Sequence, residues 1–272
     1  MLRESPPFPN LIFLKLGGSL ITDKGKPNTP QIEVITRLAA ELSSFIRSNH
    51  KAQIILGHGS GSFGHVPAKE FGTRSGVYDE KGWDGFLEVW NAAAKLNHIV
   101  IDCLVSAGMP ALAVPPSAVV TASNMKVARW DLSPIKSALK AGLLPVVYGD
   151  VAFDEALGGT ILSTEDLFYH LALQLSPERI LLAGIEPGVW EDYPQRSRII
   201  SEITPSNYDC YFTALKGSQV VDVTGGMASK VTQNLELIKE VPGLEVVIFS
   251  GSQPGILTKV LMGTAIGTMV KL

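Results

Sequence analysis

The chain has 272 residues, of which 46% are hydrophobic and 18% charged, and its formal net charge is −3. This composition is typical of a globular protein with a large core, and it argues against the basic surface that binds nucleic acid or an anionic membrane. The N-terminal segment MLRESPPFPN has no apolar core of signal-peptide length, and no later run reaches the length of a membrane span, so we expect a cytoplasmic protein. The two cysteines, Cys103 and Cys210, lie outside any CxxC pattern and indicate neither a disulfide framework nor a zinc site.

Apolar runs alternate with helical patterns along the chain. In chain order the sequence predicts a strand in LIFLKLGG, a helix in PQIEVITRLAAELSSFIRS, a strand in AQIILGHG, a helix over about 84–106, a strand in PALAVPP, a helix over about 134–141, a strand in LLPVVYGD, a helix in STEDLFYHLALQL, a strand in RILLAG, a helix over about 229–239 and a strand in LEVVIFSG. Helices between doubly buried strands indicate an α/β fold with a mainly parallel sheet covered on both faces.

Several predicted strands end in glycine turns. These turns contain Gly17 and Gly18, Gly57, Gly149 and Asp150, Gly184, and Gly251. Ligands of open α/β sheets bind at the carboxyl ends of the strands, so we expect the turns to converge on one crevice. No composition shift marks a boundary, and a single domain over 1–272 is expected, with its halves meeting near 175.

The second glycine turn, GHGSGSFGH, is rich in glycine, which leaves its backbone accessible to a ligand, as is typical of an anion site. Gly59, Gly61 and Gly64 match G-x-G-x-x-G, and Asp79 follows at the distance of a ribose-binding acid. A dinucleotide site is disfavoured because no apolar strand precedes Asp79. A Walker A loop is absent from the sequence.

Three lysines accompany these turns. Lys15 lies inside the first predicted strand, where a buried ammonium group requires an anionic partner. Lys24 follows in a loop that can fold over a ligand. Lys230 lies on the first turns of a helix that begins after Gly225 and Gly226, and such a helix start presents free N–H groups and a positive dipole end to phosphate. The lysines predict a site for a phosphorylated ligand.

The segments LKLGGSLITDK, GHGSGSFGH, the GD pair at Gly149 and Asp150, STED and DVTGGMASK, in this order, resemble the amino acid kinase family, and within it the kinases that act on isopentenyl phosphate. The resemblance implies an open αβα sandwich, a homodimer, and ATP-dependent phosphorylation of isopentenyl phosphate to isopentenyl diphosphate, a step of isoprenoid precursor synthesis. It also implies that an acceptor-binding lobe spans about 1–175 and a nucleotide-binding lobe about 176–272.

The resemblance also implies a set of site residues. The implied catalytic residues are Lys15, Lys24, His65 and Asp166. The implied acceptor ligands are Ser60, Gly61, His65, Gly158 and Gly159. The implied ATP ligands are Lys15, Gly17, Gly18, Gly225, Gly226 and Lys230. Asp166 would orient the lysines, and Lys24 would stabilise the transition state. Magnesium is expected to arrive with ATP rather than in a metal site of the protein.

The sequence departs from the family pattern in two places. In GGTILSTED, Gly159 stands where a bulky residue is expected, and Thr164 and Glu165 stand where a Gly-Asp pair is expected. The turn AGIEPGVW replaces an Asp-rich turn on the nucleotide side. The alternatives are a related kinase that acts on a phosphonate such as fosfomycin or on a carboxylate, and a non-catalytic ligand sensor. The histidine of GSFGH favours a phosphate or phosphonate dianion. Retention of all three lysines favours catalysis over sensing.

Overall fold

The computed structural model describes residues 8–211 and 226–272. Its centre is an eight-stranded sheet. The strands, in spatial order, are β12 (Glu202–Ile203), β14 (Thr268–Val270), β13 (Glu245–Ser250), β9 (Arg179–Gly184), β1 (Leu11–Leu16), β2 (Gln53–His58), β6 (Leu144–Tyr148) and β3 (Ala111–Ala113). Within the described residues, β13 and β14 form the antiparallel pair of this sheet and its other neighbours are parallel. The predicted mainly parallel sheet is confirmed.

Helices cover both faces of the sheet. They are α1 (Gly18–Ile21), α2 (Ile32–Ser48), α3 (Gly61–Phe71), α4 (Glu80–Ser106), α5 (Pro116–Val119), α6 (Ser133–Lys140), α7 (Thr164–Leu175), α8 (Gly226–Glu240) and α9 (Ile256–Leu261), with a 3-10 helix over Thr73–Ser75. Leu11 and Phe13 of β1 pack in the core with α6, α7 and α8, whereas Ile12 and Leu14 pack with α2, α4 and α9. This alternation along a doubly buried strand produces the predicted sandwich.

Two smaller sheets were not predicted. One contains β5 (Lys126–Trp130), β4 (Val120–Ser123), β7 (Asp150–Asp154) and β8 (Gly158–Leu162), and the other pairs β10 (Val189–Trp190) with β11 (Ile199–Ile200). The turn between β4 and β5 places Asn124 and Met125 at positive φ, and the Asp154 carboxylate accepts hydrogen bonds from both of their N–H groups. The local sequence of this turn lacks the usual Asn-Gly signal of a hairpin, and the hydrogen bonds that hold it come from the distant Asp154.

Helix α3 was also missed, since three glycines and Pro67 lie in GSGSFGHVP. Helix α4 begins four residues earlier than predicted, because the Asp79 side chain caps it by accepting a hydrogen bond from the N–H of Gly82 (2.8 Å). Asp79 is therefore a helix cap, which agrees with the rejection of a dinucleotide site. Among the described residues no helix combines the length and apolarity needed to cross a membrane.

The strands before and after residue 175 lie on opposite sides of the sheet and meet where β1 pairs with β9. The sheet is continuous across this junction. The division into an acceptor lobe and a nucleotide lobe remains a prediction.

Candidate active site

A cavity of about 380 Å³ lies at the carboxyl ends of β1, β2, β6 and β9. Gly17 and Gly18, Gly59, Gly149 and Gly184 line it, so four of the predicted glycine turns converge. This volume falls in the range of small-ligand sites.

The turns after β1 and β2 pack directly against each other. A Cβ atom on Gly18 would lie 2.4 Å from the backbone nitrogen of Gly61, and one on Gly61 would lie 2.1 Å from Oγ1 of Thr22. Gly61 also has a φ of +49°, which favours glycine. Thr22 joins the turns, because its hydroxyl donates to the carbonyl of Gly18 (2.7 Å) and accepts from the N–H of Ser62 (2.9 Å). The glycines thus bring two segments of exposed backbone together at the cavity.

A cluster of buried charges lies at the cavity wall. The Lys15 ammonium group forms an ion pair with Glu165, and Nζ of Lys230 lies 4.0 Å from Oε1 of the same glutamate. The side chains of Lys15 and Glu165 are only 10% and 13% exposed. Burial opposes ionisation of Glu165, but the two lysines outweigh it and lower the pKa of this carboxyl to about 2. Glu165 is the anionic partner that a lysine inside β1 requires.

Asp166 lies elsewhere than predicted. Its carboxylate accepts hydrogen bonds from the N–H and the hydroxyl of Ser163 (2.8 and 2.7 Å) and completes a capping box at the start of α7. Its ion-pair partner is Arg74, at 3.5 Å. The acid between the lysines is Glu165, because consecutive helix residues point about 100° apart and only Glu165 faces Lys15.

The other predicted residues divide into three groups. Lys15, Lys24, Ser60, Gly61, His65, Gly17, Gly18, Gly226 and Lys230 line the cavity. Gly225 lies outside the described residues. Gly158 and Gly159 lie in the β7–β8 hairpin, outside the residues that line the cavity, where Gly158 approaches the carbonyl of Val77 and Gly159 packs on Phe86. Their contact with the acceptor stays a prediction, while Ile161 and Leu162 of the same strand line the cavity.

The two ends of the cavity differ chemically. Beside His65 the wall consists of the small aliphatic side chains of Ala68, Val89 and Ile161. Toward β9 and β10 the wall is aromatic and charged, and it includes Trp190, Tyr193 and Arg196 with Glu186. We expect an aliphatic chain at the first end and a planar, polar group at the second.

The turn that departs from the family pattern forms part of the second end. The indole N–H of Trp190 donates to Glu186 (2.7 Å), and Arg196 lies 3.5 Å from the other oxygen of that carboxylate. The Arg196 guanidinium also lies over the ring of Tyr193, 5.4 Å from its centroid. The sequence analysis did not predict this cluster, because it depends on side chains brought together by the β10–β11 hairpin.

His58 at the end of β2 and Asp150 at the start of β7 are fully buried near the cavity. Burial lowers the pKa of His58, whose ring contacts Gly59 and Asn97 at 3.2 Å. Burial raises the pKa of Asp150 to about 6, although its carboxylate accepts hydrogen bonds from the N–H groups of Ser117 and Val151. Asp150 thereby holds the first turn of α5.

The model of the amino acid kinase family matches residues 10–250. The chain belongs to this family. The match includes β1 with Lys15, the GSFGH turn, Glu165 and Lys230.

Individual relatives agree with this assignment. The chain is 33% identical to isopentenyl phosphate kinase of Methanocaldococcus jannaschii over 269 residues, which is 96% of this chain and 98% of the relative. It is 34% identical to isopentenyl phosphate kinase of Methanothermobacter thermautotrophicus over 272 residues, with the same coverage. A solved isopentenyl phosphate kinase structure matches 96% of this chain and all of its own, with a TM-score of 0.79 and 31% identity. A N-acetylglutamate synthase from Neisseria gonorrhoeae shares the fold, with a TM-score of 0.66, 13% identity, and coverage of 96% of this chain and 61% of its own.

Proposed function

We propose that the protein transfers the γ-phosphoryl group of ATP to isopentenyl phosphate and forms isopentenyl diphosphate and ADP. The observation that carries the proposal is one cavity lined by Lys15, Lys24 and Lys230 together with His65. His65 follows the place where the turns of Gly18 and Gly61 pack together, which we call the glycine junction. Two phosphorylated molecules repel each other strongly in a cleft of low dielectric, and cations gathered from distant parts of the chain offset this repulsion. The names of the relatives support the same acceptor.

In the proposed reaction an oxygen of the acceptor phosphate attacks the γ-phosphorus. The bond from phosphorus to the β–γ bridging oxygen breaks, and ADP leaves with that electron pair. The second pKa of a phosphate monoester is about 6, so the attacking oxygen is already deprotonated at neutral pH and no general base is required. The protein has to position and neutralise the reactants, which is most of what phosphoryl transfer needs.

Residues at different places in the cavity would bind the acceptor, the donor phosphates and the nucleoside. His65 and the backbone around Ser60 and Gly61 would hold the acceptor phosphate, with the isopentenyl chain against Ala68, Val89 and Ile161. Lys15 and Lys230, held by Glu165, would face the donor phosphates. Lys24, on an exposed loop that reaches the cavity, would stabilise the group in transfer. The nucleoside would bind at the end that contains Trp190.

Magnesium is expected to enter on the nucleotide phosphates and to offset their charge. Among residues 8–211 and 226–272 no group of three or more His, Cys, Asp or Glu side chains could hold a metal ion, and Glu165 is engaged by the lysines.

We further propose a cytoplasmic homodimer. Helix α4 exposes an apolar stripe of Trp83, Leu87 and Trp90, which is suited to contact with a second copy.

A substrate panel tests the function. Purified protein is assayed for ADP release with ATP, magnesium and one acceptor at a time: isopentenyl phosphate, dimethylallyl phosphate, longer prenyl phosphates, fosfomycin or free amino acids. We expect the highest kcat/KM with isopentenyl phosphate. A higher value with fosfomycin or an amino acid would favour the related kinases, and no turnover with any acceptor would favour a sensor.

Two variants test the division of work. Lys24→Ala should lower kcat by on the order of a hundredfold with little change in KM, because it acts on the transition state. His65→Ala should mainly raise the KM for isopentenyl phosphate, by roughly tenfold, because it removes a ligand of the bound acceptor. Unchanged acceptor kinetics in His65→Ala would contradict the assignment of the GSFGH turn.

A further inference from the structure

Arg74 is a cation of the cavity wall to which the mechanism above gives no role. It belongs to the 3-10 helix over Thr73–Ser75, and its side chain is 28% exposed. It lines the same cavity as Lys15, Lys24, His65 and Lys230. A basic side chain at this position requires an explanation, since it lies where two polyanions would meet.

Asp166 positions the guanidinium group of Arg74 but engages only one of its nitrogen atoms. One of its terminal nitrogens lies 3.5 Å from Oδ2 of Asp166, and in the described part of the chain this is its recorded side-chain contact. A guanidinium group carries several N–H donors in a rigid fork. A single long contact leaves donors for a ligand, while Asp166, itself held by Ser163, restricts where the fork can point.

The surroundings of Arg74 place it on the acceptor side. It follows α3, the helix that carries His65 and Ala68, and its backbone carbonyl accepts a hydrogen bond from the hydroxyl of Thr160 (2.8 Å). Thr160 precedes Ile161 of β8, a wall residue beside Ala68. Arg74 also borders a second cavity of about 370 Å³ that includes Lys230, so the donor phosphates are the competing ligand.

We propose that Arg74 is a ligand of the acceptor phosphate and contributes to the preference for a phosphorylated acceptor, an inference that rests on the proposed function. While one phosphate oxygen attacks, the others need charge-assisted donors from more than one direction. The glycine junction and His65 provide one wall, and Arg74 provides another. Asp166 is a positioning residue in this arrangement, because it acts on the substrate only through Arg74.

The test compares binding to wild type, Arg74→Ala, Arg74→Lys and the control Arg129→Ala, whose arginine forms an exposed ion pair with Glu155. Titration calorimetry measures the Kd of isopentenyl phosphate without nucleotide and the Kd of a non-hydrolysable ATP analogue. Arg74→Ala should weaken isopentenyl phosphate binding by roughly 10- to 100-fold and analogue binding by less than about threefold. Arg74→Lys should restore part of the affinity, and Arg129→Ala should match wild type.

Thermal denaturation checks the fold of each variant, and the backbone carbonyl that Thr160 contacts is retained in all of them. Wild-type affinity of Arg74→Ala for isopentenyl phosphate would overturn the inference, and so would a larger loss for the ATP analogue. Failure of the proposed function can be distinguished from failure of the Arg74 inference, because the wild type would then not phosphorylate isopentenyl phosphate in the substrate panel. The binding comparison would in that case use the acceptor that the wild type does phosphorylate, with the same two outcomes.

Discussion

The start of α7 carries two consecutive carboxylates, Glu165 and Asp166, that pair with different basic side chains. Glu165 lies in a buried region between lysines from β1 and α8. Asp166 lies in a half-exposed region, where it closes a capping box and contacts Arg74 at 3.5 Å. Both regions pair an acid with a basic group of the site, and the difference between them is burial. One turn of helix thus supplies counterions both to Lys15 and Lys230 and to Arg74.

Burial determines how much each pair matters. Removing one partner of a buried ion pair leaves an uncompensated charge in a low dielectric and costs about 3–5 kcal/mol, whereas an exposed pair contributes about 1 kcal/mol or less. Lys15 is 10% exposed and depends on Glu165, while Arg74 is 28% exposed and remains partly solvated without Asp166. We therefore expect substitutions of Glu165 to have larger effects than substitutions of Asp166, and to alter different properties of the enzyme.

The largest expected effect is that of Glu165→Gln on turnover. With the charge removed, the ammonium groups of Lys15 and Lys230 repel each other and lose the positions proposed for the donor phosphates. We expect kcat/KM to fall by on the order of a hundredfold in the ADP-release assay. Glu165→Asp, which keeps the charge on a shorter side chain, should recover part of this loss.

The matched control is Glu155→Gln, which breaks the exposed pair between Arg129 and Glu155. It should leave kcat/KM within about twofold of wild type. If Glu165→Gln retained wild-type turnover while remaining folded, the buried cluster would have no part in catalysis.

A second, smaller effect concerns acid stability. The pKa of Glu165 is about 2 in the folded protein, below its ordinary value of 4.5, so its ionised form stabilises the fold. This contribution is fully present above pH 4.5 and is lost as the pH falls toward 2, with an upper size of about 3 kcal/mol. Denaturant unfolding from pH 6 to 2.5 should show the advantage of wild type over Glu165→Gln shrinking across this range. A difference in unfolding free energy that stayed constant with pH would contradict the lowered pKa of Glu165.

The smallest expected effect is that of Asp166→Asn. Asparagine keeps an oxygen that can accept from Ser163, so the cap of α7 should persist and the melting temperature should change little. Loss of the charge frees Arg74, and we expect the KM for isopentenyl phosphate to rise by about two- to fivefold with kcat nearly unchanged. Steady-state kinetics with each substrate varied in turn measures this. A fall in kcat as large as that of Glu165→Gln would erase the distinction between the two carboxylates.

The parts of the fold that could be predicted have strong local signals. Leu11–Leu16 is buried at every position and is apolar except at Lys15, and Ile32–Ser48 has helical periodicity. The parts that were missed depend on distant residues. Helix α3 begins in a glycine turn that is held by Thr22, and the β4–β5 turn is held by Asp154.

The site shows the same division. The need of Lys15 for an anionic partner could be predicted, because an ammonium group in a buried strand is costly without one. The identity of the partner could not, since Glu165 and Asp166 are adjacent and both are acidic. The rotation of α7 about its axis selects Glu165. The sequence signal that could have identified it is the Gly-Asp pattern that Thr164 and Glu165 replace.

The sequence by itself determined the fold class, the family, and the residue types of a phosphate site, because apolar periodicity, glycine turns and buried lysines are local or strictly ordered features. The tertiary structure decided which acid holds Lys15 and Lys230, which wall receives Arg74, and that Gly158 and Gly159 pack on Val77 and Phe86. These outcomes depend on helix rotation and strand register, and packing across the whole core sets both.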